Sequence, residues 1–144
     1  MSNINPKIRL SEHFTLAEMC KTDTGRPNVP DAAQEANLRR LCGWLEILRG
    51  KCGAPVIVNS AFRTPEVNRA VGGSSTSNHL TGCAADIRCT GLEQAICYAF
   101  HLLDISDVAR ENFDELLIEH NASGTWWVHF AVRQQGNRRK VRVI

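Results

Sequence analysis

At 144 residues, with 43% apolar and 22% charged side chains, the chain is long enough to close a hydrophobic core and too apolar to be disordered. A formal charge of +2 is too small to argue for a nucleic-acid partner, and no apolar run is long enough to span a bilayer. One soluble domain over 1–144, monomeric and without membrane insertion, is the expectation.

The opening Met-Ser-Asn-Ile-Asn-Pro-Lys lacks the apolar stretch of a signal peptide, which predicts a chain that is cytoplasmic at synthesis. Ser11 to Glu18 reads as a short helix start behind a capping Ser or Thr, with His13 as part of a cap and anchor. Lys21 to Pro30, holding Gly25, Pro27 and Asn28, is a loop. From Pro30 or Asp31, Leu38, Leu41, Leu45 and Leu48 recur at steps of three and four, the mark of an amphipathic helix. Arg39, Arg40 and Glu46 fall outside that stripe, and Gly50 and Gly53 are expected to end the helix. Pro55 to Asn59 is a short β-branched strand. Thr64 as N-cap and Pro65 at the first helical position then open a helix through Ala70, closed by Gly72-Gly73. Arg63 is thereby set at a strand end just ahead of a helix, where a side chain can project into a cleft.

Gly73 to Ser77 reads as a flexible polar loop, and Ala85 to Arg88 starts the next strand. Leu92, Ala95, Ile96, Ala99, Phe100 and Leu103 mark a second amphipathic helix, with His101 off the stripe and exposed. Phe113 to His120 and Thr125 to Arg133 are strands around a hairpin turn at Asn121 to Gly124. Lys140 to Ile144 alternates and can add an edge strand. Five cations crowd into Arg133 to Arg142, read as a solvated basic face. The six cysteines, at 20, 42, 52, 83, 89 and 97, contain no Cys-x-x-Cys pair, so they are expected to be reduced packing residues rather than a zinc knuckle.

The chemistry concentrates in Ser77 to Asp86. His79 and Asp86 stand seven apart with Gly82 between them, and imidazole plus carboxylate is a donor mix that suits zinc. Gly82 supplies the backbone freedom for a turn that brings both onto one ion. A third ligand must come from elsewhere, and His129 in the strand Thr125 to Val132 is the candidate. Taken singly, a loop histidine is more often solvated than ligating, and a strand histidine is more often a satisfied core residue.

Ser77, His79, Gly82, Ala84 and Asp86 match the Ser-x-His-x-x-Gly-x-Ala-x-Asp signature of the M15 zinc peptidases, the D-Ala-D-Ala carboxypeptidase and dipeptidase group, which this chain resembles. Trp127-Val128-His129 fits the same pattern. Ser11 to Glu18 is similar to the Ser-x-His-Phe-Thr-Leu-x-Glu opening of a phage- and bacteria-associated branch, and Ser60 to Thr64 resembles that family's Ser-Gly-Tyr-Arg-Ser. The likeness covers about residues 11 to 132. It implies an α+β, hedgehog-like fold: a small antiparallel sheet carrying the metal site, packed against two main helices. It also implies Zn²⁺ on His79, Asp86 and His129 with a fourth position open to water, and Arg63 as the guanidinium that holds substrate and stabilises the oxyanion. Ser77 and Trp127 would contact the substrate, a peptidoglycan stem peptide cut at D-Ala-D-Ala or another stem-peptide bond. A compact leaderless enzyme of this kind resembles a phage endolysin released by a holin, or a lysin carried in a virion. Two other classes remain: a zinc-holding cell-wall-binding module without hydrolysis, and a phage structural protein.

One position departs from the pattern. The dipeptidase and carboxypeptidase members carry an acidic general base three residues before the last histidine ligand, and here that residue is Trp126. Glu119, on the preceding strand, is the replacement we expect, with Asp114 and Glu115 weaker because they lie further from the turn. Strand parity decides whether it reaches: an odd hairpin loop pairs Glu119 with Trp127 and puts it on the face of His129, whereas an even loop gives that face to His120.

Overall fold

The structure is a computed structural model that describes residues 4–144; the first three residues of the opening segment lie outside that range. Thr15 accepts a hydrogen bond from Glu18 N and starts α1 (Leu16–Met19). Asp31 and Gln34 form a reciprocal capping box that starts α2 (Ala32–Cys52), and Gly53, at φ 65°, closes it. Gly50 lies inside α2 rather than at its end: the left-handed cap is at Gly53, whose N–H bonds Arg49 O at 3.0 Å. Leu38, Leu41, Leu45 and Leu48 are fully buried along one side of it. The strand expected over residues 55–59 forms later, as β1 (Val58–Ser60). There follow α3 (Pro65–Ala70), β2 (Ala84–Arg88), α4 (Leu92–Ala109), β3 (Glu115–His120), β4 (Trp126–Ala131) and β5 (Lys140–Val143).

The five strands form one sheet in the order β1-β2-β4-β3-β5. All pairs are antiparallel except β3 with β5, so the expected edge strand is present but runs parallel to its neighbour. The fold is α+β, as the family resemblance implied. Strand alternation gives the sheet two unlike faces. Leu116, Ile118, Val128 and Phe130 point toward α2 and α4 and join Trp44 and Phe113 in the core. The other face carries Asp86, Glu119, Trp127 and His129 and is open to a cleft.

Within α4 the buried side is Ala95, Tyr98, Leu102 and Ile105, rotated from the expected stripe. Ile96 and Phe100 are 52% and 65% exposed, because the helix presents its other flank to α2 and the sheet. His101, expected to be exposed, is half-buried and meets the Phe100 ring edge-on.

Candidate metal centre

Register settles which side chains meet. Asp86 pairs with His129 across β2 and β4, and Leu117 pairs with His129 across β3 and β4. The last pair of the hairpin is His120 with Trp126, so residues 121–125 make an odd loop, closed by Asn121 N–H on Thr125 O at 3.1 Å. Glu119 therefore pairs with Trp127 and shares the cleft face with His129 and Asp86. His120 takes the opposite face: it stacks on Trp126 at 4.5 Å and its Nδ1–H donates to Ile144 O at 2.7 Å. The same alternation explains Trp126. Three residues from His129 along a strand is the wrong face, so an acidic side chain there would point toward the helices.

His79 arrives on a 3-10 turn, Asn78–Thr81, which follows the polar loop expected over residues 73–77. Ser77 Oγ accepts from His79 N at 3.1 Å and caps the turn. Asn37 Nδ2 on α2 donates to Thr81 O at 2.9 Å and ties it to the helix. Gly82 ends the turn at φ 78°, and a Cβ there would lie 2.6 Å from the Gln34 carbonyl oxygen, so conformation and close packing both require glycine. Gly73, earlier in the loop, packs against the Asn68 side chain, whose Nδ2 donates to Ser74 O.

The imidazole of His79 is 3% exposed and its Nδ1 lies 2.6 Å from Ala61 O. A carbonyl only accepts, so Nδ1 carries a hydrogen, and Nε2 is the nitrogen turned to the cleft. That Nε2 is 3.3 Å from Asp86 Oδ1, and His129 Nδ1 is 3.0 Å from the same oxygen. One donor atom from each of the three residues lies within 4.8 Å of the others. Two nitrogens and a carboxylate oxygen converging from three side chains could hold a metal ion, and they are donor types that suit zinc. The far nitrogen of His129, Nε2, is held by Glu115 Oε1 at 2.9 Å. This carboxylate–imidazole contact aims Nδ1 at the donor cluster.

The electrostatics follow from these contacts. Burial pushes the Asp86 carboxyl up, but hydrogen bonds from His129 and His79 outweigh it and hold the group well below its ordinary range. Glu115 is lowered to about 2, chiefly by its bond to His129. Burial disfavours the charged form of His129, yet the two carboxylates raise it to about 9 in the metal-free protein. Glu119 moves the other way: burial raises its carboxyl, and the Asp86 charge adds to the effect against His129.

Arg63 sits at the start of α3 with its nitrogens distributed. Nε donates to Ser60 Oγ at 3.0 Å, Nη1 to Asn68 Oδ1 at 3.3 Å, and Nη2 to Asp86 Oδ2 at 3.2 Å. This arrangement orients Asp86 so that its other oxygen meets the histidines, and each Nη has one N–H beyond those bonds. The cleft, about 600 Å³, is walled by Arg63, Ser77, Glu119, Trp127 and the three donors. All seven residues singled out from the sequence thus line one cavity. The contact of Glu115 with His129, and the support of Glu115 by Asn78, were not expected. Asn78 Nδ2 donates at 2.7 Å to both Glu115 Oε1 and the fully buried Asp114 Oδ2. Glu115 was weighed only as a weaker candidate base, and its contact with His129 is a separate, orienting one. The cleft-face alternation Glu115, Leu117, Glu119 was the available signal, because both flank the residue paired with His129.

Residues 12–117 match the family described as Peptidase M15. A zinc D-Ala-D-Ala carboxypeptidase of Streptomyces albus G is 37% identical over 78 residues, 52% of this chain and 31% of the carboxypeptidase. The alignment therefore spans less than a third of that relative's length. No helix among the described residues is long and apolar enough to cross a membrane. The matched segment contains His79, Asp86, Arg63 and Glu115, and on that match the chain belongs to the peptidase M15 family.

Proposed function

We propose that this chain is a zinc peptidase that hydrolyses a bond in the peptide stems of bacterial cell-wall peptidoglycan, at D-Ala-D-Ala or a neighbouring stem linkage. The observation that carries the reading is the placement of Glu119 on the cleft face beside His79, Asp86 and His129. It offers a carboxylate where the family's usual position holds Trp126. His79 Nε2, an Asp86 oxygen and His129 Nδ1 would hold zinc, which when bound would supply Lewis acidity toward the scissile carbonyl and make water at the site more acidic. Glu119 accepts the proton of the attacking water and returns it to the leaving amine nitrogen. The remaining N–H groups of Arg63 face the carbonyl oxygen as negative charge develops on it. Ser77 and Trp127 flank the peptide. The substrate class rests on the name of the carboxypeptidase relative, since D-Ala-D-Ala ends the stem peptides of peptidoglycan. The domain would comprise the whole of 1–144 and act as a monomeric lysin of the endolysin or virion-borne kind.

The test is Glu119→Gln assayed at the same zinc occupancy as the wild type. A general base contributes a factor of about 10² to 10⁴, so turnover of a stem peptide should fall by that order with zinc content unchanged. Full activity in the variant would refute the assignment. The Trp126 substitution also motivates a second reading, a zinc-holding wall-binding module; full zinc occupancy with no turnover by the wild type would favour it.

A further inference from the structure

The last strand brings cations to the same cleft. The pairs Glu115 with Lys140 and Leu117 with Arg142 place Lys140 and Arg142 on the face that carries the metal donors, while Val141 and Val143 alternate to the other. Arg138, two residues earlier, lines the cleft with Lys140 and Arg133. The charges of Arg133 and Arg138 are met inside the protein, by Asp114 at 3.2 and 2.7 Å and, for Arg138, by Glu115 at 3.6 Å. Lys140 and Arg142 have no carboxylate partner among the described residues; the Arg142 guanidinium donates only to Val141 O. β5 also lies beyond the segment matched to the family, which ends at residue 117.

Resting on the peptidase reading above, we propose that Lys140 and Arg142 form a subsite for a carboxylate carried by the substrate peptide two or three residues from the scissile bond. Distance decides which carboxylate. Neighbouring strands are about 4.8 Å apart, so β5 runs about 10 Å from His129, two strands away. When a single C-terminal residue leaves, its carboxylate carbon lies within about 4 Å of the scissile carbonyl carbon. The row stands too far out for that group. At about 3.4 Å per extended residue, it meets an acidic group two to three residues along the chain. Edge-strand cations also deter strand pairing between molecules. A purely protective role needs no preference among peptides, and the experiment turns on that difference.

The probes are the synthetic tetrapeptide L-Ala-γ-D-Glu-L-Lys-D-Ala, with a free α-carboxylate on its second residue, and the same peptide with that group amidated. As products of terminal D-Ala removal, they report binding without turnover at that bond. Titration calorimetry of the zinc-loaded protein should show about tenfold tighter binding of the acidic peptide. The preference should shrink in high salt and vanish in the double variant Lys140→Gln/Arg142→Gln, whose fold is checked by thermal denaturation. Equal binding of the two peptides, binding of neither, or a preference that survives in the double variant overturns the proposal. The corresponding pentapeptides separate this outcome from the peptidase reading: a binding preference without cleavage sinks the hydrolase assignment and leaves the subsite standing.

Discussion

Glu115→Ala isolates the contact that the donor cluster depends on without touching a donor. Glu115 Oε1 accepts from His129 Nε2 at 2.9 Å and from Asn78 Nδ2 at 2.7 Å. His129 is 7% exposed, so truncation leaves a buried ring N–H without an acceptor and the ring free to turn. Asn78 keeps Asp114, so the 3-10 turn bearing His79 stays anchored. A hydrogen bond to a charged group is worth about 1.5–3 kcal/mol, or roughly 10- to 100-fold in an equilibrium constant. An opposing effect must be set against it. In the metal-free protein Glu115 also helps hold a proton on His129, and its loss eases the competition between that proton and zinc. The net loss of zinc affinity should therefore fall near the lower end, about tenfold. Glu115→Gln retains an acceptor and should lose less. Competition against a chromophoric chelator gives the dissociation constants, and circular dichroism checks the fold. Wild-type affinity in a folded Glu115→Ala protein would refute the orienting role.

Two further outcomes are expected. Arg63→Lys keeps a charge but loses the planar fork that spans Ser60, Asn68 and Asp86, so zinc content should hold while turnover falls strongly; unchanged turnover would reduce Arg63 to a surface ion pair. For Asp114, burial raises the carboxyl, but the Arg138 and Asn78 bonds outweigh it and lower it to about 2 from an ordinary 3.8. The depressed value contributes about 2 kcal/mol of stability that is present above pH 4 and lost as pH falls toward 2. In the presence of chelator, denaturant titrations of Asp114→Asn should show a flatter acid limb than the wild type by about that amount, and parallel curves would contradict the assignment.

Much of this arrangement was legible because it rests on local rules. The leucine spacing of α2, the Thr64-Pro65 start of α3 and the turn at Asn121 are each written in a few adjacent residues, and each formed. The three candidate donors were suggested by the spacing around Gly82 and a strand histidine, but it was the resemblance to the M15 signature that singled them out, and the structure brings them together. Glu119 depended on loop parity, which sequence left open and pairing decided. The errors lie where tertiary packing chooses among local options. The buried flank of α4 is set by what α2 and the sheet present to it, so Ile96 and Phe100 face outward although their spacing suits a core stripe. Glu115 and Asn78 meet only when the turn, β3 and β4 come together, and no short-range pattern announces that meeting.

The central claim is that this donor cluster works as a zinc peptidase centre, and the most direct measurement is mass spectrometry of a stem pentapeptide incubated with zinc-loaded, chelator-stripped and zinc-reloaded protein. The account predicts hydrolysis at one peptide bond by the loaded protein, loss on stripping and recovery on reloading, with no recovery in Asp86→Ala. Cleavage that persists after the metal has been removed, or an intact pentapeptide after incubation with fully loaded protein, would contradict it.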